Sequence, residues 1–210
     1  MEQMKYGYIK SKIDGTEKIF DAKQSISLPK EYSYMNYLPG VINQGNKPIC
    51  VPCSISSYVN WNLNIKNGED EKDYKVDLYE IYNSRSDKTD VENGMTIKEA
   101  LHFLKNKGVS NSFNVFKING YSMVNSVLAL KTALVMNGIC IAGLPVYDSS
   151  QKNFWVEKGE LTGGHAVAII GYDEDGFIIR NSWGTSYGNK GYVHMKYNDF
   201  NKFYEIWTLY

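Results

Sequence analysis

A glutamine and two cysteines near the start of a helical pattern are the first residues that could do chemistry. Residues 44–53 read QGNKPICVPC, so Gln44 precedes Cys50 by six residues and Cys53 by nine. The cysteines could be a redox or metal pair, half of a disulfide, or a nucleophile with a neighbour. A structural zinc needs about four ligands, and the chain has 3 Cys and 3 His without a second close pair. The odd cysteine count favours reduced thiols over a disulfide scaffold.

A histidine and an asparagine are predicted to meet at one end of a β-hairpin. Residues 166–172 and 177–181 have strand patterns, and the turn sequence DEDG at 173–176 joins them. The hairpin brings His165, at the entry of the first strand, beside Asn181, at the exit of the second. The strand register stays open at this point. A base, an orienting amide and an activated thiol are the parts that nucleophilic acyl transfer needs.

The helices that must position these residues follow from apolar periodicity. Apolar residues recur at helical intervals from Cys50 to about Lys66, and Pro52 is tolerated only in a first turn. This helix therefore starts at the cysteines, where its first amides and its dipole favour a thiolate. A capping box, Thr96 with Glu99, predicts a second helix, and a third is expected over 123–137.

The second half of the chain has strand periodicity, which predicts an α+β fold with helices first and strands later. Strands are expected at 139–146, 166–172, 177–181, 191–196 and 203–209. Near the N-terminus, Asp14-Gly15 lies between two partly apolar stretches and predicts a hairpin over residues 5–20.

Composition bounds the function classes. The chain has 210 residues, 43% of them hydrophobic and 22% charged, as in one globular unit. Lys+Arg and Asp+Glu both number 23, which disfavours a nucleic-acid partner. The apolar runs are too short to cross a membrane, and no export signal is visible. We expect a monomer without metal or cofactor, in the cytoplasm or associated with a phage.

Four segments together resemble papain-like cysteine peptidases. Residues 163–195 are similar to the family's His–Asn region, and NSWG at 181–184, sixteen residues after the histidine, is the most specific piece. QGNKPIC at 44–50 resembles the oxyanion glutamine and the nucleophile. Residues 92–109 resemble the substrate-wall loop with its helix, and residues 28–45 the mature N-terminus. The segments occur in the family's order.

The resemblance implies one domain, residues 1–210, with a papain-like fold of two subdomains and a cleft between them. Residues 28–120 would be mainly helical, and residues 121–210 an antiparallel β-barrel-like subdomain. The segment 1–27 is similar to the short leaders of bacterial and phage relatives that lack a long propeptide. We expect it to be a packing hairpin rather than a removable plug on the cleft.

The resemblance also implies residue roles. Cys50 would attack an amide carbonyl as a thiolate, and His165 would form an ion pair with it and then protonate the leaving amine. Asn181 would orient the imidazole, and Trp183 would cover the His–Asn contact. The side-chain amide of Gln44 would donate to the oxyanion. Cys53 is the alternative nucleophile, but relatives place the glutamine six residues before the nucleophile, which favours Cys50.

The substrate-binding residues implied by the resemblance are Gly94, Met95, Thr96, Gly164 and Trp183. Met95 replaces a glycine that is usual in the family, so its backbone could pair with an extended peptide while its side chain could obstruct. The function implied is a cysteine-type endopeptidase acting on a protein or peptide. Two alternatives remain on the same scaffold: an acyl-transfer or maturation enzyme, and a catalytically silent binding or structural protein.

Overall fold

The helices and strands follow the predicted order. The computed structural model describes residues 6–22, 27–89, 93–148 and 155–210. The helices are α1 (Cys50–Asn67), α2 (Leu78–Tyr82), α3 (Ile97–Asn106) and α4 (Val127–Asn137). The strands are β1 (Tyr8–Ile9), β2 (Tyr32–Ser33), β3 (Met95–Thr96), β4 (Val109–Ser110), β5 (Val115–Phe116), β6 (Tyr121–Met123), β7 (Cys140–Tyr147), β8 (Leu161–Tyr172), β9 (Phe177–Arg180), β10 (Tyr192–Met195) and β11 (Glu205–Leu209). The α+β class is confirmed.

Helix α1 is buried along most of its length although it carries many polar side chains. Ser54 Oγ donates to the Cys50 carbonyl at 2.9 Å, and Asn60 Nδ2 donates to the Ser56 carbonyl at 2.9 Å. These bonds give the Ser54 and Asn60 side chains partners inside the core. The helix ends at Gly68, whose φ of 65° is the left-handed conformation that closes a C-terminus. No helix among the described residues is both long and apolar enough to span a bilayer.

A seven-stranded antiparallel sheet supports the second half of the chain. Its order is β10-β9-β8-β7-β11-β6, and β2 pairs with the far end of β8. We expected a β-barrel-like arrangement. Over the described residues the strands instead form an open sheet, with β10 and β6 at its two edges. Because side chains alternate along a strand, β8 directs Ala166 and Ala168 into the core shared with α1, and Val167 and Ile169 into the core shared with α4.

The predicted start of α3 and the predicted turn between β8 and β9 are confirmed, whereas α4 starts later than predicted. Thr96 and Glu99 form the capping box of α3, and the Asp173 amide donates to the Gly176 carbonyl at 3.0 Å in the predicted turn. Helix α4 starts at Val127, four residues later than expected, because the Ser126 hydroxyl caps it and residues 121–123 pair with β11 instead.

The prediction of a hairpin around Asp14-Gly15 is wrong. Over residues 6–20, the described part of the predicted range, the two arms do not pair with each other. Tyr8–Ile9 pairs with Met95–Thr96 in parallel, and Ile19 forms a parallel bridge with Met123. Asp14 instead accepts hydrogen bonds from the amide and hydroxyl of Thr16. The turn signal was local, whereas each flanking stretch pairs with a distant strand.

We predict that Ile55→Ala destabilises the fold by about 2–5 kcal/mol, because Ile55 is fully buried between α1 and the sheet. Ile65→Ala is the matched control on the same helix, where the isoleucine is exposed, and we expect a change within about 0.5 kcal/mol. Denaturant unfolding followed by circular dichroism measures both. Equal destabilisation by the two variants would contradict the packing described for α1.

Candidate active site

The first turn of α1 holds Cys50 against the centre of β8. Cys50 is the first helical residue, and its Sγ accepts a hydrogen bond from the Ala166 amide at 3.4 Å. Ala166 directly follows His165 in the chain, so the sulfur lies beside the histidine backbone. Cys53 lies one turn further into the helix and is buried in the core below. Both thiols and that of Cys140 are free.

His165 and Asn181 meet through their side chains, which settles the register question left by the sequence. Nε2 of His165 and Oδ1 of Asn181 are 2.8 Å apart, and both residues are buried. The Ser182 amide donates to the same Oδ1 at 2.7 Å, which fixes the orientation of the carboxamide. Because a carboxamide oxygen only accepts, Nε2 carries the imidazole proton. Nδ1 is then the acceptor nitrogen, and it has no hydrogen-bond partner among the described residues.

Trp183 covers the imidazole, as the resemblance implied. Its ring is stacked on His165 with centroids 4.3 Å apart and an interplanar angle of 26°. Tyr187 packs edge-on against the indole at 4.6 Å. This aromatic cover keeps water away from the bond between His165 and Asn181, and a hydrogen bond is electrostatically stronger in such surroundings.

Gln44 lies beside the helix start and is oriented by a residue that the sequence reasoning missed. The Ser182 hydroxyl donates to Gln44 Oε1 at 2.6 Å, and the Gln44 amide donates to the Ser182 carbonyl at 2.8 Å. Gln44 Nε2 donates to the Lys47 carbonyl at 2.9 Å. Ser182 thus holds the carboxamide with its amino group toward the loop before Cys50. Its place within NSWG was visible, but its partner is 138 residues away in sequence.

An N-terminal strap, residues 6–11, lies across these residues. The Gly7 amide lies near the Cys50 thiol and favours its charged form, and the Gly7 carbonyl accepts from the Met95 amide at 3.0 Å. The ring of Tyr6 packs edge-on against Trp183 at 5.9 Å. The preference for a packing hairpin over a plug on the cleft is therefore wrong, because the described part of the segment lies over the cysteine.

Every substrate-binding residue implied by the resemblance meets the strap. A Cβ on Gly7 would overlap the backbone of Pro48, so only glycine fits this crossing. The Met95 side chain is fully buried, so it does not obstruct the cleft, and the Met95 amide pairs with the strap at Gly7. The contacts are Gly94 and Met95 with Gly7, Thr96 with Ile9, Gly164 with Tyr8, and Trp183 with Tyr6.

Burial under the strap determines the protonation of the site. It raises the pKa of the Cys50 thiol to about 11, although nearby backbone amides, among them those of Ala166 and Gly7, favour the thiolate and lower the pKa. It lowers the pKa of His165 to about 4, although the hydrogen bond to Asn181 favours the charged ring. In this closed arrangement burial therefore favours the neutral form of both groups over the ion pair expected from the sequence.

One cluster of possible metal ligands lies elsewhere. Atoms of Asp173, Asp175 and His194 lie within 4.8 Å of one another. They are at the opposite end of the β8–β9 hairpin from His165, and Asp173 Oδ1 already accepts from the amides of Asp175 and Gly176 in the turn.

Comparison with known proteins relates this geometry to one family. The model for the papain family cysteine protease domain matches residues 50–206. The chain is 35% identical over 116 residues to macrodontain-1 of Ananas macrodontes, covering 50% of this chain and 53% of that protein. It is 35% identical over 88 residues to cathepsin B-like cysteine proteinase 3 of Ostertagia ostertagi, covering 38% and 51%. The chain thus spans about half the length of these curated relatives.

Solved structures share the fold. Xylellain, a cysteine protease from Xylella fastidiosa, superposes with a TM-score of 0.86 at 21% identity over 98% of this chain and 96% of that one. Procathepsin B S9 from Trypanosoma congolense superposes with a TM-score of 0.73 at 15% identity, over 93% and 83%. The fold expected from the resemblance is confirmed.

We predict that Gly7→Ala increases the rate at which iodoacetamide alkylates Cys50 by at least about tenfold. Each loss of about 1.4 kcal/mol from the free energy that keeps the strap closed raises the open fraction about tenfold. The added methyl group would overlap the Pro48 backbone and displace the strap. Gly40→Ala is the matched control, because nothing lies within 4 Å of a Cβ at that position. Peptide mapping by mass spectrometry identifies the modified cysteine, and an unchanged rate in Gly7→Ala would contradict the closed arrangement.

The pH dependence of the same reaction provides a second prediction. The thiolate is the reactive form, and burial raises the thiol pKa to about 11, so the rate for the wild-type chain should still rise with pH at about pH 10. In Gly7→Ala the exposed thiol loses the burial that raised its pKa, and the profile should shift to lower pH. Identical midpoints for the two chains would show that the strap does not control the thiol.

Proposed function

The chain belongs to the papain family of cysteine proteases, and on that premise we propose that it is a cysteine endopeptidase with Cys50 as its nucleophile. The observation that carries the proposal is that a helix-start thiol lies against the backbone beside His165, whose buried imidazole is paired with a carboxamide. The Cys50 sulfur is 3.4 Å from the amide of the residue after His165, whose Nε2 is 2.8 Å from Asn181. Such a set supports nucleophilic acyl transfer.

The chemistry follows from the proton positions. His165 Nδ1 takes the Cys50 proton, the sulfur forms a bond to the peptide carbonyl carbon, and a tetrahedral oxyanion results. The C–N bond breaks as the same nitrogen gives its proton to the leaving amine, which leaves a thioester on Cys50. Water activated by His165 then releases the acid and restores the thiol. Asn181 holds the ring in the tautomer that these transfers need.

The oxyanion is stabilised by donors at the start of α1. The Cys50 backbone amide is one of the unpaired amides of a helix start, and the Gln44 carboxamide lies beside it, held by Ser182. Donors fixed in advance are effective because they need no rearrangement as charge develops. We propose these two groups as the oxyanion site.

The peptidase is closed by its own strap in the described conformation. The Gly7 backbone lies near the Cys50 thiol. Its carbonyl already accepts the hydrogen bond of the Met95 amide, which an extended substrate would need. Access therefore requires the strap to leave, and the same movement exposes the thiol and favours its ionisation. Protein or peptide substrates would then lie extended along Gly94–Thr96.

The alternative chemistries are separated by products. With a primary amine such as glycine amide added as a competing acceptor, a peptidase still releases mainly the free acid, whereas an acyl-transfer enzyme forms mainly the new amide. A silent scaffold gives neither product, and its cysteine reacts no faster than a free thiol even in Gly7→Ala, where the strap is displaced. The retention of Gln44, Cys50, His165 and Asn181 in one chain argues against the silent alternative.

We predict that Cys50→Ala abolishes hydrolysis of a fluorogenic peptide, whereas Cys53→Ala retains it and only lowers stability by removing a buried side chain. Both changes are made in the full-length Gly7→Ala chain, where the strap is displaced. Turnover and thermal unfolding are measured on the same preparations. Equal loss of turnover in the two variants would point to a functional cysteine pair and would overturn the assignment of Cys50.

We predict that Gln44→Ala in the same background lowers kcat by about 10²–10³ while KM changes little, since the lost donor acts mainly in the transition state. Ser182→Ala should lower kcat less, because it loosens the Gln44 carboxamide without removing it. Steady-state kinetics on one peptide measure both. A KM effect without a kcat effect would remove Gln44 from the oxyanion site.

A further inference from the structure

Arg180, the residue before Asn181, has a buried side chain that the proposed mechanism does not use. Only 3% of its surface is exposed. Among the described residues, no Asp or Glu forms an ion pair with it. A buried charge is unfavourable unless other groups compensate it, so the groups that bind the guanidinium indicate what this residue does.

The guanidinium donates three hydrogen bonds, and two of them reach one short segment of the chain. Nη2 donates to the carbonyls of Pro39 and Gly40, at 2.7 and 2.9 Å, while Nη1 donates to the Tyr192 hydroxyl at 2.8 Å. The tyrosine therefore fixes one side of the planar group, and the other side binds two consecutive carbonyls. A lysine has a single nitrogen whose donors rotate, so it cannot reproduce this arrangement.

The segment that Arg180 holds, residues 39–44, ends at the glutamine proposed as an oxyanion donor. The Gln44 amide donates to the Ser182 carbonyl at 2.8 Å, and the Gly184 amide donates to a carbonyl of the segment at 3.0 Å. These backbone bonds fix the end of the segment. The two bonds from Arg180 fix its start.

The same arginine links this segment to the strand end that carries Asn181. Arg180 is the last residue of β9, and the Asn181 amide donates to the Gly191 carbonyl at 3.0 Å. A Cβ on Gly191 would lie 2.7 Å from Cγ1 of Val41, so the segment crosses close to the backbone at this point. One side chain therefore joins the parts of the chain that carry Gln44 and Asn181.

The position of Gln44 matters because an oxyanion donor acts over a short range. Such a donor must lie about 2.7–3.1 Å from the place where the charge develops. A displacement of about 1 Å can lower a rate about 100-fold. Ser182 orients the Gln44 carboxamide, whereas Arg180 holds the backbone that leads to it.

We propose that Arg180 is a positioning residue of the oxyanion site, whose guanidinium holds the segment 39–44 so that the Gln44 carboxamide stays beside the Cys50 amide. The inference rests on the proposed peptidase function and adds a residue to its machinery. Arg180 touches neither the substrate nor the reacting atoms, so it affects the rate through Gln44.

The first test measures kcat and KM in the full-length Gly7→Ala chain with a further change at Arg180. Arg180→Met removes all three donors, and we expect kcat to fall by about 10- to 100-fold while KM changes little. Arg180→Lys keeps the charge and part of the hydrogen bonding, so its kcat should lie between the two. Arg85→Lys is the matched control, a buried arginine that binds the Tyr82 carbonyl instead, and it should leave kcat unchanged.

A double-mutant cycle separates positioning from stability. The double variant of Arg180→Met with Gln44→Ala should be slower than Gln44→Ala by no more than about twofold, because the glutamine through which Arg180 acts is already absent. Values of kcat are normalised to folded protein, measured by thermal unfolding on the same samples. The cycle is repeated with Arg180→Lys, which keeps it decisive if Arg180→Met does not fold.

Two kinetic results would overturn the inference while leaving the peptidase proposal intact. One is an unchanged kcat in both Arg180 variants. The other is a pair of losses that multiply fully in the double variants, since an arginine that only stabilises the fold would act independently of Gln44.

Hydrogen exchange of the backbone amides provides a test that needs no turnover. In the otherwise wild-type chain, Arg180→Lys should speed exchange within residues 39–46 by at least about tenfold, the effect of losing one charge-assisted hydrogen bond. Peptides from residues 97–106, in α3, should keep their rates. Mass spectrometry follows both regions, and unchanged exchange over 39–46 would overturn the role of Arg180. If no chain hydrolyses the peptide although Cys50 is intact, the peptidase proposal fails, and the exchange result alone decides whether Arg180 holds the segment.

Discussion

The docking of the first turn of α1 on the middle of β8 is the constraint on which the rest of the structure depends. Ala166 and Ala168 face the helix, and their small side chains let it approach the sheet closely. That approach brings the Cys50 sulfur to the Ala166 amide and beside His165. The β8–β9 hairpin then places Asn181 within 2.8 Å of the imidazole, so the sheet holds the histidine and the asparagine while α1 holds the cysteine.

The burial that assembles the site also opposes its ionisation. Under the strap, burial raises the pKa of the thiol and lowers that of the imidazole, so it favours the neutral form of both groups. The helix start and the nearby amides favour the thiolate, but they do not outweigh full burial. The proposed activity would therefore require an opening movement of the strap, and the strap contacts at Gly7 and Tyr8 would determine how often it occurs.

Sequence reasoning succeeded where the signal was local or matched a family motif. The Thr96–Glu99 capping box, the helix start at Cys50 and the turn at 173–176 each depend on neighbours in the chain. The six-residue spacing from Gln44 also indicated which cysteine lies at the cleft. The NSWG motif alone predicted that Asn181 and Trp183 lie beside the histidine.

The missed features are all pairings between distant positions. Arg180 and Pro39 are 141 residues apart, and Ser182 and Gln44 are 138 apart. Neither pair has a local pattern, since Arg180 resembles any charged residue in a strand and Pro39 is one of 5 prolines. The hairpin at Asp14-Gly15 was predicted wrongly for the same reason, because a favourable turn does not decide where its arms pair.

The central claim is that Cys50, His165, Asn181 and Gln44 form one acyl-transfer centre. Its most direct test is rapid acid quenching of the full-length Gly7→Ala chain during turnover of an activated peptide ester, followed by peptide mapping of the acylated residue. The account predicts a thioester on Cys50 that forms in a burst and decays at the steady-state rate, and that is absent from Cys50→Ala. A thioester on Cys53, or ester hydrolysis that continues in Cys50→Ala, would contradict it.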